Sequence, residues 1–360
     1  MVHMKKVAII GTVGLPARYG GWETLVNHLT QNLKTQFDFT VYCSSKKYSE
    51  RPKYFNGVHL DYINLDANGV QSIPYDFVAM LRAIKYADTI LILGVSGCIF
   101  LPIVKLVSNK KLIVNIDGLE WRRAKWSPFA KWFLKLSEGV AVRFADVVVT
   151  DNKAIQDYVQ CEYGRSSVMI AYGGDHAFRP TYDKNILTQY GLDGLRYAFK
   201  VCRIEPENNL DLIIKSFESY NRLDLVIVGN WENSGYGIKL RKEYRKLPHI
   251  HLLDPIYDHE ILNQMRSACH VYVHGHSAGG TNPSLVEAMS LGLPIVAFDC
   301  TFNRETTCGQ AMFFNSSDEL GTLLNSLDDD LLAKLGIKMK QLADKLYTWD
   351  KISSGYAEIF

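Results

Sequence analysis

Arg203 stands directly after the apolar run YAFKVC, and further along the chain Gly279, Gly280, Thr281 and Asn282 fill a loop between VYVH and PSLVEAM, whose second residue is Ser284. An arginine at a strand end grips phosphate oxygens with its planar fork. A glycine loop that opens a helix adds backbone N–H groups and the positive end of the helix dipole. Together these residues suit a phosphorylated ligand. Taken singly, Arg203 is equally a surface arginine, and Thr281 or Asn282 equally a plain helix cap. Glu287, farther into the same helix, either accepts hydrogen bonds from a ribose or faces solvent.

The first half has its own candidates. After the strand VAIIG, glycines at 11, 14, 20 and 21 form a long loop that does not match GxGxxG, and the next strand, FTVYCSS, ends without a ribose-binding acid. A nicotinamide dehydrogenase is therefore disfavoured. A loop of this kind brings Gly20 and Gly21 close to a substrate or serves only a turn with positive φ. Asp117, Glu120 and Arg122 follow the strand KLIVNI, where carboxylate and guanidinium can meet a sugar hydroxyl or a leaving phosphate. Residues 121–136 interleave Trp126, Phe129, Trp132, Phe133 and Leu136 with Lys125, Lys131 and Lys135. Such a segment either lies in an anionic membrane interface or is a core helix with solvated lysines. His274 and His276 are two apart, and there is neither HExxH nor a carboxylate set at ligand spacing, so metal-independent chemistry without a cofactor is expected.

The elements that must position these residues are short apolar runs separated by amphipathic stretches. Runs such as VAIIG, TILILG, LDLVIVG and PIVAFD are apolar at every position, the mark of parallel strands covered on both faces by helices. At 360 residues the chain is long enough for two cores. Gly173, Gly174 and Pro180 break the pattern near its middle, which places one doubly wound domain at 1–180 and a second at 181–346. In open parallel sheets ligands bind beyond the carboxyl ends of the strands, so two such domains are expected to face a central cleft. Composition is ordinary, with 47% hydrophobic and 22% charged residues and a net charge of +2, which disfavours a nucleic-acid partner. Seven cysteines without CxxC pairs fit a reduced, cytoplasmic setting, and neither an export signal nor a spanning helix is expected.

The stretches YGGWETLVNHL, VCRIEPENNLDLII, GGTNPSLVEAMSLGLPIVAFD and YTWDKISSGYAEIF together resemble the family 4 glycosyltransferases of GT-B fold. The resemblance implies two Rossmann-like domains, with a C-terminal helix, 347–360, returning to the first. It implies retaining transfer from a nucleotide sugar. Arg203 then contacts the donor diphosphate and Glu287 the ribose. Gly280, Thr281, Asn282 and Ser284 meet phosphate and sugar, and Ile256 and Tyr257 lie near the base. Asn208 stands where the family has a lysine, and Gly279 replaces the first glutamate of a pair spaced eight apart.

GTVGLPARYGGWET, DGLEWRRAKW and HGHSAGGTNPSLVEAM resemble a bacterial branch that includes rhamnosyltransferases of capsule and cell-wall polysaccharide synthesis. What the branch implies is a dTDP-rhamnose donor and a lipid-linked saccharide acceptor. The acceptor would meet Gly20, Gly21, Asp117 and Glu120, with Asp117, Arg122 and Arg203 as catalytic residues, at the cytoplasmic membrane face. The alternatives are a UDP-sugar-dependent transferase, a nucleotide-sugar epimerase on the same architecture, and a non-catalytic glycan- or membrane-binding protein.

Overall fold

A computed structural model describes residues 4–17, 20–123, 125–218, 220 and 222–360. The chain divides into two compact units, Met1–Ala171 with Trp349–Phe360, and Tyr172–Thr348. Among the described residues the first unit carries eight strands: β1 Lys5–Ile10, β2 Phe37–Ser44, β3 Tyr54–Phe55, β4 Val58–Ile63, β5 Thr89–Leu93, β6 Lys111–Asn115, β7 Val147–Thr150 and β8 Val168–Met169. They lie in the order β3-β4-β2-β1-β5-β6-β7-β8. All pairings are parallel except the β3–β4 hairpin. The fully apolar runs behave as their pattern predicts: every residue of β5 is buried, as are the last four of β1.

Two elements depart from the sequence reading. β3 and β4 were not anticipated, although Asn56 and Gly57, both at positive φ, form the two-residue turn that such a hairpin requires. The run SVMIAYGG contributes only the short β8, whose two residues are exposed at the sheet edge. The Trp349–Ile359 helix packs in this first unit. Trp349 stacks on His28 at 4.4 Å, and Asn115 Nδ2 donates to Tyr356 Oη at 2.8 Å.

The second unit has β9 Tyr197–Val201, β10 Asp224–Val228, β11 Ile250–Leu253, β12 Val271–His274, β13 Ile295–Phe298 and β14 Met312–Phe314. Their order is β11-β10-β9-β12-β13-β14, all parallel. Residues 172–180, which the sequence boundary leaves with the first half, belong to this second unit. Gly174 explains the placement. A Cβ there would sit 2.4 Å from the Val286 carbonyl oxygen, so only glycine lets the segment lie against the Pro283–Ser290 helix. Its N–H donates to the Tyr347 carbonyl at 2.8 Å.

Candidate functional site

The strand order of the second unit singles out one place. From β9 the sheet grows through β10 and β11 on one side and through β12, β13 and β14 on the other. The loops leaving β9 and β12 therefore diverge at a topological switch point, where open α/β sheets bind ligands. These are the Arg203 loop and the glycine loop, which the sequence separates widely and the sheet makes neighbours. They interlock. Ser277 donates to the Glu207 carbonyl through its N–H at 2.9 Å and its hydroxyl at 3.1 Å. Asn209 Nδ2 donates to the Gly275 carbonyl at 2.8 Å. A Cβ on Gly275 would lie 2.2 Å from the Asn208 carbonyl oxygen, so the close approach depends on glycine.

Within this pair of loops the expected residues divide by role. Arg203 is exposed, its Nε 3.9 Å from a Glu205 oxygen. Asn208 is buried, and its Nδ2 donates to the Arg203 carbonyl at 2.9 Å, so its amide braces the loop that carries the arginine. Asn282 caps the Pro283–Ser290 helix, its Oδ1 accepting from the Ser284 N–H at 3.1 Å and the Ser284 hydroxyl at 2.8 Å. Gly279 has φ +89, a conformation suited to glycine, beside Gly280 and Thr281. Ile256 and the exposed Tyr257 follow β11, the sheet's edge strand.

Glu287 does not face solvent. Its Oε2 lies 2.8 Å from Arg266 Nη2 and its Oε1 3.1 Å from His176 Nε2. Burial pushes its carboxyl up, but Arg266 and then His176 outweigh this and hold it at about 2. Neither partner was legible in the sequence. His176 sits in the 172–180 segment at the start of the second unit and Arg266 on the His259–Ala268 helix, and no local spacing links either to Glu287. No sequence signal marks the burial of Lys200 on β9 or of His274 on β12: both are fully buried, and among the described residues Lys200 Nζ and both His274 ring nitrogens lack hydrogen-bond partners. Burial drives the Lys200 ammonium and the His274 imidazolium toward their neutral forms.

In the first unit the glycine loop leaves β1, whose neighbours β2 and β5 mark that sheet's own switch point. Glu23 braces it: Oε1 accepts from Thr12 Oγ1 and from the Val13 N–H, each at 2.8 Å. Its position three residues after Gly20 is the spacing of a carboxylate that reaches back from a helix's first turn, a usable signal. Gly20 has φ +134, Gly21 opens the Gly21–Leu33 helix, and Arg18 and Tyr19 lie outside the described residues.

Asp117 follows β6, two strands away, at φ +61, its N–H donating to Asn115 Oδ1 at 3.1 Å. Glu120 spends its carboxylate locally, on Arg123 at 2.9 Å, Lys125 at 3.2 Å and Trp126 Nε1 at 3.0 Å. Arg122 is exposed and stacks over Trp121, 5.0 Å from the ring centre. Beyond it, the Pro128–Phe144 helix buries Leu134, Glu138, Ala141 and Val142 and leaves Phe129 73%, Trp132 60% and Leu136 43% exposed. Its aromatic side is thus not packed into the unit's core. Among the described residues no helix is long and apolar enough to cross a membrane.

Comparison with known proteins agrees with this division. Residues 184–327 match the glycosyl transferases group 1 family model, and residues 4–175 match a domain of unknown function, DUF1972. No curated protein gives a significant match. Among solved structures, sucrose-phosphate synthase from Thermosynechococcus elongatus is similar with a TM-score of 0.84 at 15% identity, covering 98% of each chain. Anabaena Alr3699/HepE, solved with UDP-glucose, gives a TM-score of 0.78 at 17% identity over 99% of each chain. A glycosyltransferase from Rickettsia africae gives 0.76 at 11% identity, over 99% of this chain and 97% of that one. The fold is that of two parallel-sheet α/β domains with GT-B glycosyltransferase neighbours.

Proposed function

The group 1 match over residues 184–327 indicates a glycosyltransferase, and from that premise we propose a retaining enzyme that transfers L-rhamnose from dTDP-β-L-rhamnose to a lipid-linked saccharide in capsule or cell-wall polysaccharide synthesis. The observation that carries the donor site is the interlocking of the Arg203 loop with the glycine loop at the switch point of the second unit. Arg203 and the start of the Pro283–Ser290 helix meet the diphosphate, Glu287 the ribose, and Ile256 and Tyr257 the base. The first unit receives the acceptor near Gly20, Gly21, Asp117 and Glu120.

In the proposed reaction the bond from the anomeric carbon to the diphosphate breaks, and the acceptor oxygen attaches on the same face. A diphosphate oxygen takes the acceptor's proton, and Arg203 with the helix N-terminus stabilises the negative charge that develops. Asp117 and Arg122 orient the reacting hydroxyl. These cationic and backbone groups supply the charge stabilisation, so transfer is expected to continue undiminished in excess chelator. The exposed Phe129, Trp132 and Leu136, with Lys125 and Lys131 nearby, favour peripheral docking on an anionic membrane at its cytoplasmic face. Replacing Phe129 and Trp132 by serine should lower binding to anionic vesicles; unchanged binding would remove the membrane contact.

The first test is thermal stabilisation by nucleotides, since a ligand that binds the native state raises the melting temperature. Stabilisation by dTDP and dTDP-rhamnose above UDP and UDP-glucose supports the rhamnosyl reading. A preference for UDP keeps the transferase and discards rhamnose, an outcome given weight by the UDP-glucose complex of the Anabaena neighbour. Turnover of donor without acceptor points to an epimerase. No response to any nucleotide points to a non-catalytic binding protein.

A further inference from the structure

We infer that Arg266 is a positioning residue for the nucleotide sugar: it fixes the orientation of the Glu287 carboxylate that receives the ribose, while His176 holds the carboxylate's other oxygen. The inference rests on the proposed glycosyltransferase reading, in which Glu287 meets the donor. Three elements of the second unit converge here. Glu287 comes from the Pro283–Ser290 helix, Arg266 from the His259–Ala268 helix, and His176 from the 172–180 segment that Gly174 lays against the first of these. Arg266 is 2% exposed, and among the described residues its Nε has no hydrogen-bond partner. The guanidinium's ion pair is with Glu287, through Nη2 and Oε2 at 2.8 Å.

A guanidinium is an expensive residue to bury if packing is its only task, because apolar side chains of similar volume hold such places as well or better. What the charge supplies is direction. With one oxygen fixed by Arg266 and the other by His176, the carboxylate cannot rotate. A carboxylate offers about four acceptor positions, so lone pairs remain for sugar hydroxyls, pointing along lines that the two partners set.

The same contacts keep the group ionised. Burial alone drives this carboxyl upward; Arg266, followed by His176, brings it to about 2. Among the described residues, Cys269 and the β12 residue Tyr272 both feel the Arg266 charge, Arg179 acts on Cys269 as well, and the His259 ring lies 6.5 Å from that of His176. Removing Arg266 therefore leaves a half-compensated carboxyl that takes up a proton nearer neutrality. A packing residue would not change the pH profile of ligand binding in this way.

The experiment titrates UDP and dTDP by calorimetry onto wild type, Arg266→Met, Arg266→Lys and Glu287→Gln between pH 5 and 8, with urea unfolding of each. For Arg266→Met, affinity should fall at least tenfold relative to wild type, and that deficit should shrink as pH rises. Arg266→Lys should recover part of the loss. Glu287→Gln should bind weakly at every pH. If Glu287→Gln binds like wild type, or wild type binds neither nucleotide, the donor-site reading itself fails. If Glu287→Gln is weak but Arg266→Met matches wild type across the range, the donor site stands and the positioning role is overturned. Should Arg266→Met not fold, Arg266→Lys decides: a several-fold loss that deepens toward acid relative to wild type supports the role, and wild-type affinity with the wild-type pH profile overturns it.

Discussion

Lys200 and Arg266 lie in the same unit, each almost wholly removed from water, yet only Arg266 has a carboxylate against it. Lys200 is the penultimate residue of β9, opposite Ile227 of β10. Strand alternation puts it on the face of Ala198, which belongs to an apolar cluster with Ile213, Ile227 and Val273. Burial favours its neutral amine. Arg266, which does not deprotonate in proteins, stays charged and must be compensated where it lies. One cation is tolerated by giving up its proton, the other by keeping a partner. The difference teaches where each can be broken: Lys200 by replacing the residue itself, Arg266 by removing what faces it.

The largest effect on folding should come from Glu287→Leu. It leaves the Arg266 guanidinium buried against a methyl group, and removing one member of a buried ion pair costs about 3–5 kcal/mol. Urea unfolding should show that loss, smaller in Glu287→Gln, whose amide oxygen still accepts a hydrogen bond. A loss under about 1 kcal/mol would mean that Arg266 relaxes toward solvent, and the contrast with Lys200 would dissolve.

How far the sequence discloses these features follows from what a one-dimensional pattern can carry. Parallel strands with both faces covered are apolar throughout, so β1, β5 and β10 are legible, and with them the two-unit architecture. The Arg203 loop and the glycine loop are visible because both sit at strand ends and use distinctive residue types. Their adjacency is not visible, since it depends on β12 lying next to β9 and not beside β11, its predecessor in the chain. Lys200 passes unnoticed because a single lysine scarcely disturbs the run YAFKV. Arg266 and His176 are hidden more deeply. The pairing with Glu287 joins three elements that only tertiary packing brings together, and each residue alone reads as a surface side chain. In the first unit, Asn56-Gly57 and the glutamate after Gly20 were readable signals that longer-range patterns obscured.

The next effect in size has the opposite sign. Lys200→Met replaces an unpartnered buried amine with an apolar chain of similar length, and the native state should gain about 1–3 kcal/mol, the cost of burying a polar group without a hydrogen bond. Its pH dependence sharpens the comparison. The folded-state pKa lies below the ordinary lysine value, so between the two the unfolded chain binds a proton that the native state does not. Wild-type stability therefore rises with pH through that window. The advantage of Lys200→Met should be greatest below the folded-state value and shrink as pH approaches the ordinary lysine range. Urea midpoints for both proteins from pH 6 to 10 check this. An advantage that stays constant with pH would show that Lys200 is not neutralised by burial.

Arg203→Ala should have the smallest effect on folding, and that is its use. Arg203 is the exposed cation of the second unit's switch point, its nearest ion-pair contact a Glu205 oxygen at 3.9 Å, too loose a pair in water to contribute much stability. Its backbone carbonyl, which Asn208 holds, survives the substitution, so the loop should keep its shape. Stability should stay within about 0.5 kcal/mol of wild type, while transfer from the nucleotide sugar falls at least a hundredfold, the scale on which a charge-stabilising donor acts in a transition state. Measured side by side, unfolding and transfer separate the three cations. Lys200 acts on stability alone, Arg266 on stability and ligand affinity together, and Arg203 on transfer alone. If Arg203→Ala transfers at the wild-type rate, the diphosphate does not meet this arginine, and the interlocked loops at β9 and β12 need a different cation to hold it.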